Sequence, residues 1–166
     1  MDNKLITIIT SLTLLLTAKA VIASTVIKVR DGDTIQVKQG EKEITVQLAC
    51  LDAPEMEQRP WGKIAQQRLK QLLPTGKSIS VRVVGKDQYG RTLAEIFSGN
   101  QSINLKMVRE GQAVVYRQYQ NGCAATKDKY LQAEAQAKAS HLGFWNQSNP
   151  VMPWEFKQDK SRTISN

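Results

Sequence analysis

The sequence contains a single histidine and only two cysteines. Structural zinc sites take their four ligands mainly from these two residue types, so the chain has too few of them for such a site. Histidine is also the commonest general acid or base in enzymes, and a mechanism that needs two histidines is excluded here. A carboxylate is therefore the remaining candidate for a group that activates water.

Apolar runs long enough to cross a membrane are also missing. An uncharged, mostly apolar run covers residues 5–17, whereas a spanning helix needs about 20 such residues. Lys4 precedes this run and small residues follow it, as in a signal peptide that is cleaved after Ala20 or Ala23. We therefore expect residues 1–23 to be a signal peptide and the protein to be secreted or periplasmic, without stable membrane association after cleavage. An uncleaved membrane anchor is the alternative.

The two cysteines, Cys50 and Cys123, leave two interpretations open. In an exported protein they could form a disulfide that closes a loop of about 70 residues and stabilises the fold by on the order of 4 kcal/mol. Alternatively, Cys50 is a small buried hydrophobic residue, because it continues the alternating pattern of Ile44, Val46 and Leu48.

Acidic residues are outnumbered by basic ones. The chain has 23 Lys and Arg against 15 Asp and Glu, which gives a formal net charge of +8. A strongly basic surface attracts polyanions such as nucleic acid, anionic lipid or acidic polysaccharide and accelerates encounter with them. The charge alone does not distinguish among these partners.

Internal repeats and low-complexity linkers are absent from the 166 residues, so we expect one domain over residues 24–146. Residues 147–166 are interpreted as a docked aromatic stretch followed by a frayed tail. Alternating and β-branched residues predict strands at 24–30, 34–38, 43–50, 77–85 and 92–97, with a last extended piece at 113–116.

Helical periodicity follows the third predicted strand. It begins at Pro60 and stops at Pro74, which predicts an amphipathic helix of about 13 residues. Further helices are predicted from Asn104 and over about 128–140, which makes about three in all. Five strands with a helix between the third and fourth are the arrangement of an OB-fold, so the predicted class is α+β with a small Greek-key β-barrel.

Carboxylates cluster in two turn-rich motifs, DGDT at 31–34 and LDAPE at 51–55. Taken singly, Asp33 could serve the turn at Gly32, and Asp52 could cap the bend at Pro54. Taken together, two carboxylates with a carbonyl and waters would give Ca²⁺ a partial shell of oxygen ligands that stays open to a phosphate oxygen.

Five motifs in order along residues 24–146 resemble the staphylococcal nuclease (thermonuclease) family. They are DGDT, LDAPE, a helix that starts with Pro and Gly, DQYGR, and NLKMVREGQA followed by a terminal AEAQA helix. That family has an OB-fold barrel and cleaves the phosphodiester bonds of DNA and RNA with Ca²⁺. The resemblance implies an exported, Ca²⁺-dependent, sequence-nonspecific nuclease with DNA and RNA as substrates, and we expect a monomer.

The resemblance also implies roles for individual residues. Asp33 and Asp52 correspond to the calcium carboxylates, and the backbone carbonyl of Ala53 to a further ligand. Glu55 corresponds to the residue that orients or deprotonates the attacking water. Each carboxylate alone would more simply be a turn or surface residue, and the combination of motifs is what favours the metal site.

Three residues of the resemblance concern the substrate. Arg91 of DQYGR corresponds to the arginine that stabilises phosphoryl charge and the leaving oxygen. Tyr89 and Tyr119 correspond to tyrosines that line the nucleotide pocket. Taken singly, the arginine is also consistent with a charge at a strand edge, and the tyrosines with half-buried aromatic residues.

Gln47 departs from the family pattern, which has a second arginine on the phosphate at this position. Glutamine cannot form the charged, forked contact of arginine, and loss of one preorganised donor lowers a rate on the order of 10²- to 10³-fold. Three interpretations follow: an attenuated nuclease, substitution by a nearby cation such as Arg59 or Arg117, or a domain that binds nucleic acid without cutting it. We expect Gln47→Arg to raise nuclease activity.

Two other function classes stay open on the sequence alone. One is a non-catalytic OB-fold module that binds nucleic acid or another polyanion, which would keep its affinity in chelator. The other is an anchored envelope protein that binds acidic polysaccharide, and it rests only on the basic charge and the apolar N-terminus.

Overall fold

The computed structural model describes residues 21–87 and 89–164, apart from the side chains of residues 21, 117–121, 163 and 164. The signal peptide predicted over residues 1–23 therefore lies almost wholly outside the described residues. The described residues form eight strands: β1 Val21–Val29, β2 Thr34–Gln39, β3 Lys42–Leu48, β4 Leu51–Asp52, β5 Ser78–Lys86, β6 Thr92–Ser98, β7 Gln101–Ser102 and β8 Val114–Val115. They also form four α-helices, α1 Trp61–Leu72, α2 Ile103–Arg109, α3 Lys127–Ala139 and α4 Pro153–Ile164, and two 3₁₀ helices, Arg117–Thr126 and Gly143–Trp145.

Five of the strands close into a barrel. Strands β3, β2, β1, β5 and β6 lie side by side and antiparallel in that order. The barrel is closed by parallel pairing of β3 with β6, in which Val46 lies opposite Thr92 and Leu48 opposite Ala94. The predicted α+β class and five-stranded OB-fold barrel are confirmed.

The barrel interior follows the two-residue alternation of the strands. Side chains at alternate positions point inward, where burial of their apolar surface stabilises the fold. The buried strand residues are Val26, Val29, Ile35, Val37, Val46, Leu48, Ile79, Val81, Ala94 and Ile96. Helix α1 buries Ala65 and Leu69 against the same core, at the four-residue spacing that was used to predict it.

A buried asparagine in α2 connects the barrel to the segment that follows β3. The side-chain Oδ1 of Asn104 accepts a hydrogen bond from the N–H of Ile96 at 2.9 Å. Its Nδ2 donates to the carbonyls of Ala49 and Ala94, both at 3.0 Å. Because this amide is fully buried, these bonds stabilise the fold and fix the chain just before β4.

The C-terminal residues correct the prediction of a frayed tail. Residues Pro153–Ile164 form helix α4, which is packed back onto the domain. Trp154 lies against Tyr116 with ring centroids 5.6 Å apart, and the Nε2 of Gln58 donates to the carbonyl of Val151 at 2.9 Å. The helix therefore has fixed neighbours, and the expected count of about three helices was one too low. None of the helices in the described part of the chain is long and apolar enough to span a membrane.

Cys50 and Cys123 form a disulfide, which resolves the alternative left open by the sequence. Cys50 lies in the turn after β3 with a positive φ of 71°, and its carbonyl accepts a hydrogen bond from the N–H of Tyr116 at 3.1 Å. The bridge therefore links the turn before β4 to the 3₁₀ helix Arg117–Thr126.

We predict that replacing both cysteines by alanine lowers the free energy of unfolding by about 2 to 5 kcal/mol, because the bridge closes a long loop in the unfolded chain. Urea denaturation of the oxidised wild type and the double variant measures this difference. Reduction of the wild type by dithiothreitol should produce a similar loss, and an unchanged denaturation midpoint after reduction would contradict the prediction.

Candidate active site

An open cavity of about 420 Å³ lies where five separate segments of the chain meet. These are the turn at 31–34, the chain around β3 and β4, the β5–β6 hairpin, Tyr116 after β8, and helix α4. The cavity is lined by six of the predicted site residues: Asp33, Gln47, Asp52, Glu55, Tyr89 and Arg91. The structure thus brings the chemically important residues of the motifs together.

The first motif is a tight turn packed against the second. The Oδ1 of Asp31 accepts hydrogen bonds from the N–H groups of Asp33 at 3.1 Å and Thr34 at 2.7 Å, so Asp31 stabilises the turn. Gly32 has no room for a side chain, because a Cβ there would lie 2.6 Å from the Cβ of Ala53 and 2.9 Å from that of Ala65. This close approach brings Asp33 to the LDAPE segment.

Asp33 is buried, and its Oδ2 accepts a hydrogen bond from the N–H of Ala53 at 2.9 Å. Burial raises the pKa of Asp33 well above its usual value, and the negative charges of Asp31 and Asp52 add to this effect. Ala53 is not among the described residues that line the cavity, and the role of its carbonyl as a ligand stays a prediction.

Asp52 is equally buried and lies in β4, where it pairs with Val114 of β8. Burial also raises its pKa, although the charge of Lys157 opposes this change. Asp52 and Asp33 line the same cavity and are close enough for the charge of Asp52 to raise the pKa of Asp33. Two neighbouring buried carboxyl groups form a site that favours a cation.

Glu55 is held by the loop that leads into α1. Its N–H donates to the Oε1 of Gln58, and its carbonyl accepts from the N–H of Gln58, both at 2.9 Å. A Cβ at Gly62 would overlap the carbonyl oxygen of Glu55, so glycine is needed there to let the loop approach α1. The carboxylate of Glu55 reaches the cavity with about a third of its side chain exposed, 34%.

Arg91 lies in the β5–β6 loop and lines the same cavity as Glu55 and the two aspartates. Its Nε donates to Asp87 Oδ2 at 2.5 Å, while Asp87 Oδ1 accepts from the backbone N–H groups of Arg91 and Tyr89, each at 2.9 Å. The guanidinium also lies 5.7 Å from the ring centre of Tyr89, which is 75% exposed. Asp87 therefore orients Arg91, and Tyr89 offers an exposed aromatic face at the cavity rim.

Gln47 lies in the cavity wall beside Asp33. The hydroxyl of Thr34 is within hydrogen-bond distance of Gln47 Oε1 at 3.0 Å and of Asp33 Oδ1 at 3.1 Å. The side chain at position 47 is thus a neutral neighbour of the carboxylates, as the sequence indicated.

The cavity is also lined by a charged residue that the sequence analysis missed, Lys157 of α4. Its Nζ lies 2.8 Å from Asp52 Oδ1 and 3.0 Å from Glu55 Oε1. Burial disfavours the charged form, but the nearby carboxylates outweigh this effect and raise the pKa of Lys157, so the ammonium is charged at neutral pH. A weak signal was present in the sequence, because Trp154, Lys157 and Gln158 share one helical face and all line the cavity.

The sequence analysis predicted two substitutes for the missing arginine, Arg59 and Arg117. Arg59 is exposed and is not among the described residues that line the cavity. The side chains of Arg117 and Tyr119 lie outside the described part of the chain, so their predicted roles stay predictions.

Comparisons with known proteins agree with this geometry. A family model for staphylococcal nuclease homologues matches residues 45–147. A Haemophilus influenzae protein named as an uncharacterized endonuclease is 38% identical over 136 residues, which are 81% of this chain and 72% of that protein. A Shigella flexneri protein named micrococcal nuclease is 36% identical over 142 residues, 80% of this chain and 79% of that protein. An Escherichia coli protein named as an uncharacterized endonuclease is 34% identical over 137 residues, 81% of this chain and 84% of that protein.

The family match begins within β3 and includes the cavity residues from Gln47 to Arg91. Together with the barrel and the grouping of Asp33, Asp52, Glu55 and Arg91, it identifies the fold and the class of enzyme. The chain belongs to the staphylococcal nuclease family, a family of phosphodiester hydrolases.

Proposed function

We propose that this protein is an exported, Ca²⁺-dependent nuclease that hydrolyses phosphodiester bonds of DNA and RNA without sequence specificity. The observation that carries the proposal is the meeting of a buried aspartate pair, Glu55 and Arg91 in a single open cavity. Two carboxylates can bind a cation, a third can accept a proton from water, and an arginine can bind phosphate. The relatives named endonuclease and micrococcal nuclease support the same reaction class.

The aspartate pair fits a hard cation that keeps part of its water shell. Among the described residues, no group of three or more His, Cys, Asp or Glu side chains is arranged to hold a metal ion. Ca²⁺ would therefore be held by Asp33 and Asp52, with backbone oxygens such as the Ala53 carbonyl and waters as its other ligands. The contact of Lys157 with Asp52 supports this assignment, because the Lys157 ammonium already places a positive charge beside the Asp52 carboxylate. When bound, Ca²⁺ would supply charge that stabilises the phosphate oxygens.

In the proposed reaction, Glu55 accepts a proton from water while the water oxygen attacks phosphorus. The bond from phosphorus to the leaving oxygen breaks, and that oxygen takes a proton from solvent water. Arg91 donates charged hydrogen bonds to the oxygens on which negative charge develops. Asp87 fixes the guanidinium in advance, which lowers the reorganisation needed during the reaction. Tyr89 provides a stacking surface for a base, and stacking accepts every base, so it does not impose a sequence.

Export is supported by the disulfide, because such bridges persist in oxidising compartments. Strand β1 begins at Val21, and Val21, Ile22 and Ala23 pair with Arg82, Val81 and Ser80 of β5. Cleavage after Ala20 would keep these pairs, whereas cleavage after Ala23 would remove them. We therefore place the cleavage after Ala20 and propose that the mature protein is monomeric, secreted or periplasmic, and not stably bound to a membrane.

A second candidate function is binding of nucleic acid without cleavage. The neutral side chain of Gln47 and the ion pair of Lys157 with Asp52 and Glu55 favour it, because both affect the groups that cleavage requires. Affinity that persists in chelator, without cleavage at any enzyme concentration, would support this function.

We predict that residues 21–166 cleave single-stranded DNA, duplex DNA and RNA in Ca²⁺ but not in chelator. Glu55→Gln should lower the rate by at least about 10²-fold, because the water then lacks its base. Glu57→Gln is the matched control, since Glu57 is exposed and pairs with Lys160 outside the cavity. Equal rates with and without Ca²⁺, or equal loss in the two variants, would contradict the proposal.

Thermal unfolding tests the cation site independently of cleavage. The pKa of Asp33 is raised above its usual value of 3.8 in the folded protein, so ionising it opposes folding. This destabilisation is absent below about pH 3.8 and develops as the pH rises through the folded-state pKa. Asp33→Asn should therefore raise the melting temperature at pH 7 in chelator and abolish the rise that Ca²⁺ produces in the wild type.

The control for this measurement is Asp128→Asn, because Asp128 is exposed at the start of α3. Its melting temperature should respond to Ca²⁺ as the wild type does. A lower melting temperature of Asp33→Asn in chelator, or a normal response of that variant to Ca²⁺, would show that the site has been assigned wrongly.

A further inference from the structure

The charges of the cavity are unbalanced for a site that takes a phosphate. Its described lining includes five carboxylates but only two basic side chains, those of Arg91 and Lys157. Arg91 is already paired with Asp87. Phosphate carries negative charge, so a second cation that is not permanently neutralised would favour its binding.

Lys157 lies at the centre of the proposed reacting groups. Its Nζ contacts Asp52 and Glu55, which belong respectively to the cation site and to water activation. An ammonium group has three N–H donors, and these two carboxylates account for two of them. Its side chain is 46% exposed, so a ligand in the cavity can reach it.

Helix α4 is fixed strongly enough to hold this lysine in place. Trp154, three residues before Lys157, packs on Tyr116 at the cavity wall. Lys160, three residues after it, pairs with Glu57 at 2.6 Å, beside the loop that holds Glu55. Because α4 is held by contacts on both sides of Lys157, the fold of the domain fixes the position of this lysine.

We propose that Lys157 is the second phosphate-binding cation of this nuclease, supplied by α4 in place of a cation at position 47. The inference rests on the proposed function. Asp33 and Asp52 would hold the divalent ion, whose charge would replace that of Lys157 beside Asp52, and the Lys157 ammonium would then pair with a phosphate oxygen of the substrate. Lys157 thereby contacts the substrate directly and acts together with Arg91.

The test measures the affinity of a short single-stranded DNA in Ca²⁺ at several salt concentrations. A Glu55→Gln background prevents cleavage during the measurement. Lys157→Ala should weaken binding about 3- to 10-fold and reduce the slope of log affinity against log salt by about 0.7, the value for one phosphate contact on a single strand. Lys157→Arg should restore both. Arg162→Ala is the matched control, because it removes the same charge from the same helix outside the cavity, where Arg162 is exposed and pairs with Asp159 of α4, and it should leave the slope near the parent value.

Cleavage rates provide the second measurement, and they are compared in proteins that keep Glu55. Lys157→Ala should lower the rate about 10- to 10²-fold, and adding Gln47→Arg should recover most of that loss while changing the otherwise unmodified protein much less. A higher rate or higher affinity after Lys157→Ala would overturn the proposal, because it would show that the lysine blocks the cation site. An unchanged salt slope, or equal effects of Lys157→Ala and Arg162→Ala, would overturn it as well. If no variant cleaves, the proposed function fails, and the salt slope still decides the role of Lys157.

Discussion

The site depends on two carboxyl groups that are buried close to each other. Asp33 and Asp52 are each only 6% exposed, and burial raises the pKa of both. Such a pair is unfavourable when both groups are ionised, unless a positive charge lies beside them. The fold therefore maintains a site that favours a cation, and the charge of Lys157 partly meets that need in the present structure.

The barrel and its helices keep this unfavourable pair in place. The turn at Gly32 packs tightly against Ala53 and Ala65, and Asn104 fixes the chain before β4 through buried hydrogen bonds. The disulfide of Cys50 with Cys123 fixes the same segment to the 3₁₀ helix Arg117–Thr126. Each of these interactions acts within a few residues of an acidic group of the cavity. Stability of the scaffold and preorganisation of the site thus come from the same contacts.

Much of the fold and the site could be predicted from the sequence because their signals are local. Strand alternation in β2 and β3 and the helical spacing of Ala65 and Leu69 reflect which face of each element is buried. The carboxylates lie in short motifs whose order indicated a shared site. The polar helix α4 gives a much weaker signal, because its position depends on contacts with distant residues.

Lys157 is the clearest example of a site residue that could not be predicted from the sequence, since its partner Asp52 is 105 residues away in the chain. Neither periodicity nor composition relates the two positions, and only the folded structure brings them together. The choice between a disulfide and a buried free cysteine at Cys50 was open for the same reason, because it depended on where Cys123 lies in space.

The most direct test of the account is a crystal structure of the Glu55→Gln variant with Ca²⁺ and a short single-stranded DNA. Ca²⁺ should be bound to Asp33 and Asp52, with a neighbouring phosphate contacted by both Arg91 and Lys157. Ca²⁺ bound elsewhere, or DNA bound on another face while Lys157 still pairs with Asp52, would contradict it.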